Sequence, residues 1–354
     1  MIPADPATFQ YFGSVYVGDG GLGAVSPNDY YTDKDYIFVD GKVLTGADPK
    51  SFMFIGDTRY GYVGDKYGVF CTNVDKKGFP TARLVASDTQ TFKVVLADKF
   101  LGVYAKDKNH IYVGCTPVSN ADPTTFELLK DSKGNFSGYA KDKNHVYYIN
   151  YPNTTALDAS PNTFVLVSDD PTDNYLYIPS ASVYAKDGSS VFFSGEKIIG
   201  ADPASFEIIK DPSGTQTSFA KDKNNVYYGA HTVQRLFGRT LNPKTIVVFP
   251  SDIVTGETIL KDGMGVYRFS YNNDNSNWTM TTISGTDPIT FQPLYASSGE
   301  QSVFEKDKNN VYCHGSILVG ADVQTFALTY PDTDVPPDLA KDKNQSYLGC
   351  SVAQ

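Results

Sequence analysis

The sequence predicts an all-β tandem-repeat array: nine β-meander units of about 39 residues wound as an open superhelix. Two short signatures alternate along all 354 residues, and a repeat at a period of 20–50 residues marks solenoids, propellers and arrays. Aromatic residues are abundant (25 Tyr, 22 Phe) beside 30 Gly, which favours short strands and tight turns. The copies reach nearly end to end, so the two domains that length alone suggests give way to one array over 1–354.

The first signature is Ala-Asp-Pro-x-Thr/Ser-Phe, at residues 4–9, 47–52, 121–126, 201–206 and, with Thr286 for Ala, 286–291. Looser copies end at Phe92, Phe164, Ile246 and Phe326. The second is aromatic-Ala-Lys-Asp-Lys-Asn-x-Val-Tyr, clearest at 104–112, 139–147, 219–227 and 304–312, with degraded copies at 30–38, 62–70, 184–192, 259–267 and 339–347. Units therefore start near 4, 47, 87, 121, 158, 201, 241, 286 and 321.

Within the unit at 121–156, residues 125–129 are read as a strand, 131–135 as a turn, 138–141 as a second strand, 142–144 as a tight turn and 146–148 as a third strand. A fourth short strand is expected where a Gly turn precedes residues 197–199, and none at either end of the chain. The Asp of the tight turn accepts backbone N–H groups two residues on, and Asn tolerates the left-handed region, as Gly188 and Gly263 would. The repeat turn residues are Asp107 and Asn109, Asp142 and Asn144, Asp222 and Asn224, Asp307 and Asn309, and Asp342 and Asn344. Pro of the first signature presets φ and pushes Asp toward extended backbone, after which Thr and Phe open a strand.

One aromatic column runs through Tyr104, Tyr139, Tyr184, Phe219 and Phe304, a second through Tyr112, Tyr147, Phe192, Tyr227, Tyr267, Tyr312 and Tyr347. Burial of such rings stabilises by about 2–3 kcal/mol each, and a 39-residue unit closes no core alone, so units must stack. Tyr in place of Phe suggests hydroxyls that reach solvent or a carbonyl. Thirty-six strands exceed what one open sheet holds. A β-propeller, or two small ones, is the alternative to the superhelix, although nine blades would pass the usual four to eight.

The run Asp142-Lys143-Asn144-His145-Val146-Tyr147-Tyr148, with its counterparts at 107–112 and 222–228, resembles the DKNYY repeat family, which takes its name from it. The resemblance covers most of the chain. It implies a bacterial repeat protein and says little about activity.

Forty acidic against thirty basic residues leave a net charge of −10 with no basic run, which argues against nucleic acid. No 18-residue apolar run supports membrane insertion by a helix. The opening Met1-Ile2-Pro3-Ala4-Asp5-Pro6 lacks the basic and apolar regions of a signal peptide. No nucleotide-binding, zinc-protease or nucleophile-elbow motif occurs, so catalytic residues, cofactor and metal are all expected to be none. A calcium reading of the Asp turns is disfavoured because Lys flanks each Asp. His110 and His145 share a column beside the turn and read as exposed turn residues; the acidic pair Asp169-Asp170 falls on a loop.

Cys71 and Cys313 each follow the strand aromatic, while Cys115 and Cys350 lie two positions further along the same strand in the next unit. The offset allows two disulfides, Cys71–Cys115 and Cys313–Cys350, each worth about 3–4 kcal/mol in the chain-entropy model. Four free buried thiols are the alternative. Bridges would point to an extracellular or virion-associated setting, thiols to the cytoplasm. The polar stretch holding Asn275, Asn277 and Trp278 is a candidate ligand loop.

The expected function is a non-enzymatic structural or interaction protein, with protein partners or self-assembly in an extracellular, filament or virion setting. A carbohydrate-binding repeat protein, with a glycan as partner, is the second expectation, and a hydrolytic enzyme the third.

Overall fold

The fold is nearly all β, in nine four-stranded antiparallel sheets that follow one another along the chain. It is known from a computed structural model that describes residues 4–16, 27–56, 62–74, 80–86, 88–98, 102–150, 153–167, 183–250, 257–272, 277–295, 301–329 and 339–353. Every sheet is a simple meander with its strands in sequence order, and none closes into a barrel. The chain divides into two compact bodies: described residues up to Gly188 belong to the first, and those from Ser189 on to the second.

The fourth unit shows the pattern. Its strands are Glu127–Lys130, Phe136–Lys141, Val146–Asn150 and Asn153–Leu157. Leu128 faces Ala140, Ala140 faces Tyr147, and Tyr147 faces Ala156 across the ladder. A register shift between Leu128 and Lys130 recurs between Ile208 and Lys210 and between Pro293 and Tyr295, so the bulge belongs to the repeat.

Alternation along each strand sends successive side chains to opposite faces. Tyr139 and Ala140 point to opposite faces, and both are 0% exposed. Sheets are thus covered on both faces, as stacking requires. The rings record the order. Tyr30 lies 5.7 Å from Phe52, Tyr62 5.1 Å from Phe92, Tyr139 5.4 Å from Phe164, and Phe304 5.2 Å from Phe326, each pair joining one unit to the next. That Phe then packs on the second-column ring of its own unit, as Phe92 does on Tyr112 at 5.5 Å and Phe326 on Tyr347 at 5.4 Å. A ladder of rings therefore runs through each body. The small residue between them, Ala105, Ala140, Ala185 or Ala220, is 0% exposed and leaves room for the neighbour's ring.

Several expectations need correction. Thr125 and Phe126 do not open the first strand: their N–H groups bond back to the Asp122 carbonyl in a tight turn, and the strand begins at Glu127. The fourth strand of the fifth unit is Glu196–Lys197, earlier than expected, with buried Ile198 extending it through a bond to the Val191 carbonyl. The ninth unit has a fourth strand, Ser351–Val352, paired with Ser346–Leu348. Left-handed backbone is found not at the Asp-Lys-Asn turn but in the following hairpin, at Asp40, Gly114, Ser194, Gly229, His314 and Gly349. A short helix, Val233–Phe237, follows the fourth strand of the sixth unit. Thr232 caps it by accepting from the Arg235 N–H, and Gly238, at φ 66°, ends it.

Candidate functional site: the interlocked turns

The two signatures form one structure. In the fourth unit, Asp142 Oδ1 accepts the Asn144 and His145 N–H groups at 2.7 Å each, an Asx-turn. Its Oδ2 accepts the N–H of Asp122, twenty residues earlier in the first signature, at 2.8 Å. The Tyr147 hydroxyl donates to the same Oδ2 at 2.8 Å. Asp122 in turn caps its own turn by accepting the Thr124 N–H at 2.8 Å, and its carboxylate is paired with Lys143. The Lys143 N–H donates to Thr125 Oγ1 at 3.1 Å and completes the knot.

The geometry recurs. The N–H of Asp5, Asp48, Asp202, Asp287 and Asp322 reaches Oδ2 of Asp33, Asp65, Asp222, Asp307 and Asp342 at 2.7–2.9 Å. Second-column hydroxyls Tyr112, Tyr227, Tyr312 and Tyr347 donate to Asp107, Asp222, Asp307 and Asp342. These tyrosines thus reach a carboxylate, neither solvent nor only a carbonyl. The expected carbonyl contact belongs to the first column, where the Tyr62 hydroxyl donates to Gly114 and Tyr139 to Val183.

Seven units pair the first-signature Asp with the Lys after the turn Asp: Lys34 with Asp5, Lys66 with Asp48, Lys108 with Asp88, Lys143 with Asp122, Lys223 with Asp202, Lys308 with Asp287 and Lys343 with Asp322. In the other two, the carboxylate and the lysine are lost together. Ser160 faces Gly188 and Asn242 faces Gly263, while the N–H contacts to Asp187 and Asp262 persist. Gly at 188 and 263 therefore marks a missing charge partner, not a left-handed turn. This joint loss was visible in the sequence and is the signal that would have linked the two signatures.

The knots hold ionised carboxylates in a partly buried setting. Burial raises the Asp342 carboxyl, but the N–H groups of Asp322, Asn344 and Gln345 and the Tyr347 hydroxyl overcome it and bring it to about 2. Asp142 and Asp307 are lowered by the same balance. Lys308 and Thr290 bring Asp287 to about 2, and Lys143 with Thr124 holds Asp122 well below the usual range. Burial, then Asp307, pushes the Tyr312 hydroxyl up to about 12.

The Ala column carries one acid. Glu305 is 1% exposed, bonded to Arg268 Nη2 at 2.7 Å and to the Gly315 N–H at 3.2 Å, and Arg268 also pairs with Glu257. Burial raises Glu305 to about 7 against the pull of Arg268. Sequence reasoning missed this triad.

Cys71 pairs with Cys115 and Cys313 with Cys350 at disulfide distance, with Cα atoms 5.4 Å apart in both. The pairing agrees with the expected offset, although Cys115 and Cys350 sit in the hairpin turn after the third strand instead of on it. His110 is exposed and His145 half-buried beside their turns. Asn277 and Trp278 do not form a loop. They open the strand Asn277–Thr282, where half-buried Trp278 stacks on Phe269 at 4.6 Å and 2°. Asn275, Asp169 and Asp170 lie outside the described residues. A recess of about 270 Å³ is lined by Ser205, Glu207, Lys221, Asp222, Lys223, Pro243 and Lys244. Two of its lysines are engaged there, Lys221 by Glu207 and the Pro243 carbonyl, Lys223 by Asp202. Among the described residues no helix is long and apolar enough to cross a membrane.

Nine tandem meanders, each with a turn headed by Asp and five of them with the full Asp-Lys-Asn, define a β-repeat protein. The DKNYY family model matches in two overlapping stretches, residues 75–231 and 184–350, and the chain belongs to the DKNYY family. No curated protein matches the chain.

Proposed function

We propose that this chain is a non-enzymatic structural or interaction scaffold, a component of an extracellular, filament or virion assembly that offers its repeated surface to protein partners or to further copies of itself. The observation that carries this reading is the engagement of the repeat's polar groups in its own knots: the turn Asp, the paired Asp and Lys, the Thr and the Tyr all bond within the unit. Residues so committed serve to hold a surface, and stacked arrays present long ones. The two disulfide-distance pairs favour an oxidising setting. Light scattering and electron microscopy of purified protein, with pull-down from the native source, test it. An ordered oligomer or a co-purifying protein is expected, and a persistent monomer that retains no partner overturns it.

One observation favours a glycan reading as the alternative. On the first unit, Phe9, Tyr11 and Tyr36 are 43%, 58% and 37% exposed, and Phe9 stacks on Tyr31 at 5.2 Å. Ser14 and Asp29 sit beside them, Ser14 hydrogen-bonded to both Tyr11 and Asp29. Flat rings beside hydroxyls and a carboxylate suit a sugar face. Binding on a glycan array that Tyr11→Ala removes would favour this alternative; an array without hits dismisses it.

A further inference from the structure

The two cysteine pairs differ in what stands beside them. A ligand nitrogen of His314 and the sulfurs of Cys313 and Cys350 all lie within 4.8 Å of one another. Among the described residues this is the one such cluster of three His, Cys, Asp or Glu ligand atoms. Cys71 is followed by Thr72 in the corresponding place, so its pair lacks an imidazole. His314 also occupies the left-handed hairpin position, at φ 47°, where the sister turns carry Gly114, Gly229 and Gly349 or the smaller polar residues Asp40 and Ser194. The turn is served by Gly, Ser or Asp in the sister units, so the hairpin itself does not require an imidazole here. His314 and Cys350 are exposed, while Cys313 is buried beneath them. The cluster is thus open on one side and anchored on the other.

We propose that Cys313, Cys350 and His314 form a redox-gated site for a thiophilic divalent cation of the zinc class. In the oxidised chain the sulfurs are bonded to each other and offer no thiolate. A dithiol or phosphine reductant supplies two electrons, and with two protons the S–S bond becomes two thiols while the reductant is oxidised. The cation then displaces the two thiol protons, forms two metal–thiolate bonds and takes the imidazole lone pair as third ligand. Water completes the tetrahedron, the arrangement of a site with three protein ligands. Zn–S bonds of about 2.3 Å set the sulfurs about 3.8 Å apart, a spacing that side-chain rotation reaches from Cα atoms 5.4 Å apart. The cation would take over the link between the eighth and ninth units when the disulfide is opened. Soft thiolates with imidazole select this class over calcium or magnesium.

The test is zinc titration of phosphine-reduced full-length chain under anaerobic conditions, read by competition with a chromophoric chelator, with cobalt as the spectroscopic probe. One equivalent per chain is expected after reduction and none before it. Cys350→Ser should abolish binding, and His314→Gly should weaken it about tenfold or more. The glycine keeps the hairpin, as Gly349 does in its own turn, and circular dichroism of the oxidised variant confirms folding. Cys71→Ser/Cys115→Ser should bind as the parent does. No stoichiometric binding, unchanged affinity in His314→Gly, or equal loss in the Cys71→Ser/Cys115→Ser variant would each overturn the proposal.

Discussion

The Asp142 carboxylate accepts four hydrogen bonds, three from backbone N–H groups and one from the Tyr147 hydroxyl. Removing it strands those donors in a partly buried place, where each unsatisfied group is expensive. Asp142→Ala should therefore destabilise the first body by about 2–4 kcal/mol, against about 1 kcal/mol for Tyr147→Phe, which removes one donor and leaves the carboxylate its other partners. Chemical denaturation of both variants checks the ratio, and equal losses would contradict the hub role. The same carboxylates set the pH response. The folded pKa values of Asp142 and Asp307 lie below 3.8, and those of Asp88, Asp287 and Asp342 are about 2. The unfolded chain thus takes up protons first as pH falls. The stabilisation is complete above about 4 and is lost as pH drops through 2. Tyr312, raised to about 12, acts on the other side: its contribution is present below 10 and is lost as pH rises through 12. Melting temperature measured across pH should fall steeply at both ends, with a smaller decline between about 4.5 and 7 as buried Glu305 ionises.

At the scale of the element, the Ala column decides how closely sheets approach. Ala220 is 0% exposed, and its unit and the next share a core that includes Phe219, Val226, Leu260 and Tyr267. A Tyr there has no space without parting the sheets. Ala220→Tyr should cost about 3 kcal/mol or more, beyond ordinary overpacking, whereas Tyr31→Ala in the same column of the first unit should be far milder. Tyr31 packs on exposed Phe9 and Tyr11, both of its own unit, so no neighbouring sheet is displaced. Thermal unfolding of the two variants distinguishes them, and equal shifts would show that the column does not set the spacing. Strand order, turn positions and the two ring columns were legible in the sequence because they repeat at local spacing. The helix Val233–Phe237 was signalled by Thr232 and Gly238 but masked by the strand pattern around it. Trp278 read as a loop residue because its polar neighbours outnumber it, yet its partner Phe269 lies nine residues back across the hairpin.

For the whole molecule, each cysteine pair falls within one body. Cys71–Cys115 spans 44 residues of the first, and Cys313–Cys350 spans 37 of the second. Loops of this size give about 4 kcal/mol per bridge in the chain-entropy model. Calorimetry should resolve more than one transition, with Cys71→Ser lowering that of the first body and Cys313→Ser that of the second. A single transition shifted alike by both would contradict the division.

The sequence by itself determined the repeat, the strand-and-turn pattern of its unit and the offset that lets the cysteines pair, because each follows from residues at fixed local offsets, while the structure brings them to disulfide distance. Only the tertiary structure decided that the two signatures close on each other. It also decided that the second-column hydroxyls end on carboxylates, and that Glu305 enters an Ala column to meet Arg268. Asp122 meets Asp142 from twenty residues away and Arg268 meets Glu305 from thirty-seven, so folding alone brings them together; Tyr147 lies only five residues from Asp142, yet which atom its hydroxyl meets depends on the hairpin's three-dimensional closure.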